Sequence, residues 1–220
     1  MAVPSAVAGL LRRPARLGDA VYAAIFERIM ALEITPGERI SVDAVARELG
    51  VSQTPIREAL TRLENEGLVQ KTPLVGYSAT ARLSADEITH LYEIRLQLEP
   101  FAARKCAALM SEVVIEQLEA LILEMAGLRT GGVEAYAQFA QLDMAFHDQI
   151  AVSAGNPLVA EALGRLHAHV HLFRLQARAG VPDDANQEHA ALVTAIQARD
   201  GDRAEAAMRE HIERSWQRFA

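Results

Sequence analysis

The sequence predicts a mainly α protein: a small head of three helices and a hairpin, then an all-α bundle of six antiparallel helices. Three observations predict it. Apolar residues recur at helical spacing almost throughout, two short β-prone runs are confined to residues 68 to 81, and no strand signal follows Ser84. The 220 residues are 50% hydrophobic, 23% charged and 5% aromatic, which supplies one large core or two smaller ones and excludes a disordered tail.

Residues 1 to 18 are expected to form a flexible N-terminal arm. Arg12, Arg13 and Arg16 stand there among Pro and Ala with no acid before Asp19, and without the sustained amphipathic pattern or processing site of a transit peptide. The head is expected over 19 to 83. Val21, Ile25, Ile29 and Leu32 keep helical spacing, and Pro36-Gly37 stops this first helix. Ser41 caps a second helix through Leu49, with Val42, Val45, Ala46 and Leu49 on one face and Gly50 at its end. Ser52 opens a third, in which Pro55 falls in the first turn where its missing N–H does no harm; Glu66-Gly67 ends it. Leu68 to Lys71 and Tyr77 to Ala81, joined by Thr72 to Gly76, read as a hairpin. Helix, helix, tight turn, helix, hairpin is a winged helix-turn-helix.

The body is expected over 84 to 220. Its helices fall at about 85–109, 112–127, 132–153, 157–178, 184–199 and 202–218. Ser111, Gly131-Gly132, Gly155-Asn156-Pro157, Gly180-Val181-Pro182 and Asp200-Gly201-Asp202 mark the breaks. No repeat of about 20 to 50 residues appears, which argues against a solenoid.

The net charge of −7 is unevenly spread: residues 1 to 82 hold ten Arg or Lys against nine Asp or Glu, and residues 83 to 220 twelve against twenty. The acidic half is repelled by phosphate, so nucleic-acid contact belongs in the head. No apolar run approaches the ~20 residues of a membrane span. A single cysteine, Cys106, allows neither an intrachain disulfide nor a Cys-rich zinc cluster, and fits a reducing cytoplasm.

A recognition helix enters the major groove by its N-terminal turn, where free N–H groups and the dipole favour phosphate. Ser52, Gln53, Thr54 and Arg57 occupy that end. Arg57 suits a bidentate contact to guanine, Gln53 adenine or a phosphate, and Ser52 and Thr54 the DNA backbone. Arg62 is placed for a phosphate, and Lys71 with the Gly76 turn forms a wing. Each is individually compatible with a solvated helix face; their combined order points to double-stranded DNA.

The run Glu48-Leu49-Gly50-Val51-Ser52-Gln53-Thr54-Pro55-Ile56-Arg57-Glu58-Ala59-Leu60, with Leu63-Glu64, Glu66-Gly67-Leu68-Val69 and Gly76, resembles the N-terminal domain of GntR-family bacterial transcription regulators. The helical remainder resembles their FadR-type, FCD-domain branch, with a six-helix VanR-like C-terminal domain. Arg is common in that family where this chain has Gln53, which leaves the operator sequence open.

In the body, Asp143 and His147 are four apart, on one helix face with Tyr136, Phe139 and Ile150. His189 shares a stripe with Leu192, Val193 and Ile196, and His211 one with Ala204, Ala207, Met208 and Ser215. A lone inward His is usually a hydrogen-bonded core residue, but several buried titratable groups need something to pair them. Three His and an Asp suit a first-row divalent metal, zinc before nickel, manganese or iron. The spacing is similar to the metal-binding pattern of many FCD domains. His167, His169 and His171 form a competing cluster; at i, i+2 and i+4 only His167 and His171 share a face, so His169 is expected to point elsewhere. Arg95 lies on the stripe Ile88, Leu91, Leu98, Ala102 and requires an anion, either Asp143, a helix C-terminus or a bound organic carboxylate. The resemblance implies effector contact at Arg95, and Arg174 is a weaker candidate.

Two other classes were weighed. A metalloenzyme finds little support, because Glu87-x-x-His90 occurs once without the second copy of a di-iron bundle. There is no HExxH, GxSxG, P-loop or dinucleotide turn either. An architectural DNA-binding dimer leaves the inward His and Asp residues unexplained. The expectation is a cytoplasmic, homodimeric, metal-containing repressor that reads an inverted repeat and is released by a small organic acid.

Overall fold

In the computed structural model, the backbone is described for residues 5–128, 133–175 and 183–219, and side chains for 17–128, 135–169, 171, 172 and 184–218. The chain divides into two compact units, Met1–Arg82 and Leu83–Ala220.

The first unit contains α1 (Ser5–Met30), β1 (Arg39–Ile40), α2 (Val42–Leu49), α3 (Gln53–Asn65), β2 (Val69–Thr72) and β3 (Gly76–Ala79). Helix α1 starts at Ser5 rather than at Asp19, so residues 5–18, expected as part of an arm, are helical; Ala6, Ala8, Leu10, Leu11 and Ala15 are strong helix formers. It ends at Met30, ahead of Pro36. Leu32 adopts φ 60, and the N–H groups of Glu33 and Ile34 both turn back to the Arg28 carbonyl. Ser41 caps α2 by accepting the Ala44 N–H at 3.3 Å, and Gly50 closes it in the left-handed conformation at φ 66. The core is the packed face of α1 on α3, where Ile25, Ile29, Ile56, Leu60 and Leu63 are all buried. Burying each such side chain stabilises by about 1.5–3 kcal/mol before entropy.

The hairpin has the expected place but a third strand. β3 is central, with Val69 opposite Ala79 and Thr72 opposite Gly76 on one side, and Arg39 opposite Ser78 on the other. A two-residue strand carries no legible alternation, which is why β1 is absent from the sequence reading.

Among its described residues the second unit holds helices and no strand: α4 (Ala85–Leu109), α5 (Glu112–Gly127), α6 (Val133–Ser153), α7 (Pro157–Leu166), α8 (Ala168–Leu175), α9 (Asp183–Gln197) and α10 (Gly201–Phe219). Ser84 opens α4 through a full capping box with Glu87, and Ser111 caps α5. Helix α10 packs along α4 and α9, while α6 lies against α4 and α5. The helix expected over 157–178 is two helices. His167 takes φ 48 at the end of α7, and α8 starts afresh at Ala168.

Candidate metal centre and nucleic-acid interface

At the head, Ser52 takes the N-cap position of α3 but its hydroxyl makes no capping bond. Pro55 and Ile56 turn inward, which leaves Ser52, Gln53, Thr54 and Arg57 exposed on the outer face. Gln53 Nε2 donates to Asp43 Oδ1 on α2, and Gln53 Oε1 accepts from Arg57 Nη2 at 3.2 Å. Gln53 therefore positions Arg57 and ties the two helices together. Arg57 and Lys71 line one surface depression with Arg39 and the wing residues Thr72 to Gly76. Arg39 was missed because it belongs to β1. Gly76, at φ 110, occupies a conformation that a residue with a Cβ rarely adopts. Arg62 is differently employed: its Nη1 bonds Asp19 at 2.8 Å and its guanidinium lies 4.1 Å over the Tyr22 ring, which ties α3 to α1.

In the body, Asp143 and His147 on α6, His189 on α9 and His211 on α10 are all buried together. A ring nitrogen from each of His147, His189 and His211 lies within 4.8 Å of the others. Asp143 Oδ1 stands 3.3 Å from His189 Nε2, off the hydrogen-bonding line. His169 joins them, contrary to expectation, its Nδ1 lying 2.7 Å from Asp143 Oδ2 and its ring 4.2 Å from that of His147. The left-handed turn at His167 resets the helical phase, so counting i, i+2, i+4 across it places His169 wrongly. His167 itself caps α7, and the Arg174 side chain lies outside the described residues.

Two carboxylates the sequence reading gave no role set the tautomers. Glu99 Oε2 lies 2.7 Å from His147 Nδ1, and Glu188 Oε2 lies 2.7 Å from His211 Nδ1. Burial raises the Glu99 pKa, yet Arg95 and His147 outweigh it and hold the carboxyl well below the carboxylate range. Glu188 is likewise destabilised by burial but brought down to about 2 by its bonds from His211 and Arg218. An ionised carboxylate only accepts, so each Nδ1 carries the proton and each Nε2 presents a lone pair. His147 Nε2 and both nitrogens of His189 are buried without a hydrogen-bond partner.

Burial lowers the pKa of His147, His189 and His211, which keeps the rings neutral. Asp143 is pushed up by burial but held well below its ordinary value, chiefly by the His169 bond. Three neutral imidazoles with unmet nitrogens on His147 and His189, and an ionised carboxylate beside His189, fit a divalent cation. Glu99, His147 and His169 also approach within 4.8 Å of one another, but a cation there faces the Arg95 guanidinium. Arg95 itself is satisfied by Glu99, with Nε to Oε1 at 2.5 Å and Nη2 to Oε2 at 3.4 Å, rather than by Asp143. Glu99 sits one helical turn from Arg95, an i, i+4 spacing that was readable as an ion pair.

The fold defines a winged helix-turn-helix head and a separate all-helical unit. Residues 17–77 match the family model for bacterial regulatory proteins of the gntR family, and residues 90–214 match the FCD domain. The chain belongs to the GntR family of transcription regulators, in its FCD-domain branch. It is 28% identical over 196 residues to the HTH-type transcriptional repressor RspR of Escherichia coli K12, covering 88% of this chain and 84% of that one. A relative from Paenarthrobacter nicotinovorans, named as the probable D-xylose utilization operon transcriptional repressor, is 29% identical over 204 residues, 90% of this chain and 88% of its own. In fold it is similar to E. coli McbR/YncC, with TM-score 0.68 at 19% identity over 93% of this chain and 99% of that one. These matches are to transcription regulators rather than enzymes. Among the described residues no helix is long and apolar enough to cross a membrane.

Proposed function

We propose that the protein is a cytoplasmic, homodimeric repressor of a catabolic or transport operon, released from an inverted-repeat operator by a small organic acid bound beside a metal ion. Asp143, His147, His189 and His211 would hold the ion, zinc first, with nickel, manganese or iron as alternatives. A bound divalent metal supplies a Lewis-acid anchor for one carboxylate or hydroxyl of the acid. The observation that carries this reading is the buried trio of His147, His189 and His211, whose ring nitrogens lie within 4.8 Å of one another with those of His147 and His189 unmet, and ionised Asp143 beside His189.

On the DNA side, Arg57 and Gln53 read bases, Ser52, Thr54, Lys71 and the Gly76 turn engage the backbone, and Arg62 supports α3 from its bond to Asp19. The family resemblance implies effector contact at Arg95, with Arg174 as a weaker candidate. The Glu99 contact favours a positioning role for Arg95, since Arg95 fixes Glu99 and Glu99 fixes His147. Arg174 keeps the proposed carboxylate role. Release requires that the acid bind more tightly to the domain arrangement that no longer fits both half-sites.

The test is direct. Purified protein should carry near-stoichiometric metal, and a panel of small organic acids should raise its Tm and weaken its hold on a promoter fragment from its own locus. Metal-free preparations that still respond to acids would remove the metal from the mechanism. A protein that ignores every such promoter while converting an acid at the metal would overturn the regulator reading.

A further inference from the structure

Among the described residues, the buried side-chain atoms with no hydrogen-bond partner are His147 Nε2, both ring nitrogens of His189, and Asn186 Oδ1. The first three belong to the metal centre. Asn186 does not belong to the proposed ligand set, yet it lies on α9 one turn before His189, on the stripe that continues through buried His189, Val193 and Ile196. Residues three apart on a helix have Cβ atoms about 5–6 Å apart. A buried amide oxygen left unmet costs about 1–3 kcal/mol, so its place one helical turn from the proposed metal ligand His189 calls for a donor delivered by a ligand.

We infer that Asn186 is a specificity-determining residue of the effector site: Oδ1 accepts a hydrogen bond from a hydroxyl on the bound acid, which selects hydroxycarboxylic acids over their deoxy counterparts. This rests on the proposal that an organic acid binds at the metal. The chemistry is asymmetric. A hydroxy acid satisfies Oδ1, whereas a plain carboxylic acid buries it again without a partner. With the carboxylate on the metal, ligated oxygens and charge are shared by both acids, so the discrimination belongs to the amide.

The experiment uses the full-length, metal-loaded protein and matched pairs of probes: glycolate against acetate, each lactate enantiomer against propionate, and each malate and tartrate enantiomer against succinate, all by calorimetry. At least one hydroxy acid should bind about tenfold or more tightly than its deoxy partner. In Asn186→Leu, similar in size but without an acceptor, that preference should collapse toward unity while metal content by elemental analysis is unchanged. Asn186→Asp, which keeps an acceptor, should retain part of it. Equal affinity within every pair, or a preference that survives in Asn186→Leu, overturns the inference and leaves the sensor reading standing. Loss of metal in Asn186→Leu also overturns it, by making the amide a ligand. Failure of every acid to bind the metal-loaded protein sinks the sensor reading itself, and this inference with it.

Discussion

The two units hold their functional polar groups in opposite surroundings. Around α3 and the wing, Ser52, Gln53, Thr54, Arg57 and Lys71 are solvent-exposed, and Arg57 and Gln53 share a single exposed contact. In the body, Asp143, His147, His169, His189 and His211 are buried, and chains of charge extend from them: Arg95 to Glu99 to His147, and Arg218 to Glu188 to His211. A surface cation is already hydrated and gives up little until it meets phosphate. A buried imidazole must be oriented in advance, and a carboxylate does this for His147, His169 and His211. Exposed groups of the first kind are replaceable without harm to the fold; buried groups of the second kind are coupled to one another and to it.

The largest expected effect lies in the body. Replacing His189 and His211 together with Ala should remove nearly all bound metal, measured by elemental analysis, and abolish any acid response while promoter binding persists. Unchanged metal content would move the site to Glu99, His147 and His169. Next in size is Glu188→Gln. It keeps the shape of the residue that accepts the His211 proton at 2.7 Å but removes the charge that Arg218 holds at 3.0 and 3.1 Å. Metal affinity by chelator competition should fall about 10- to 100-fold. An affinity equal to that of the parent protein would mean that Glu188 merely fills space.

In the head, Arg57→Ala should weaken specific DNA binding by about 1–3 kcal/mol in a gel-shift titration and relax preference at one base. Stability should stay within about 0.5 kcal/mol, because the side chain is exposed. Lys71→Ala should instead weaken binding uniformly and reduce the slope of log K against log salt by about 1. Specific binding retained by Arg57→Ala would show that another element reads the bases.

This contrast also explains what was legible. The proposed recognition helix follows from one continuous run, Gly50 to Leu63, whose caps and apolar spacing are local. The stripes of α6, α9 and α10 likewise bring Asp143, His147, His189 and His211 inward, because periodicity reports which face is buried. Periodicity does not report which helices meet. Glu99 faces His147 from forty-eight residues away, and Glu188 reaches His211 from twenty-three. His169 was lost to one backbone angle, since a left-handed residue in the middle of an apolar helical pattern leaves no mark when it is His rather than Gly.

The smallest effect sharpens the comparison by touching neither site. Ser84 accepts the Glu87 N–H at 3.3 Å, and Glu87 Oε2 accepts from the Ser84 N–H and hydroxyl, each at 2.8 Å. Ser84→Ala should lower Tm by about 2–4 °C. The backbone bond from Ser84, then its hydroxyl, hold the Glu87 carboxyl below its ordinary value of 4.5. A depressed pKa means stability that is present above 4.5 and lost as pH falls through the folded value. The Tm difference between parent and variant should therefore be constant from neutral pH down to about 5 and shrink in stronger acid, as Glu87 protonates. Metal content and promoter affinity should match the parent at temperatures where both are folded. A metal deficit there would mean that the start of α4 reaches through Arg95 and Glu99 to His147, and that the buried chain is coupled over the helix's whole N-terminal half.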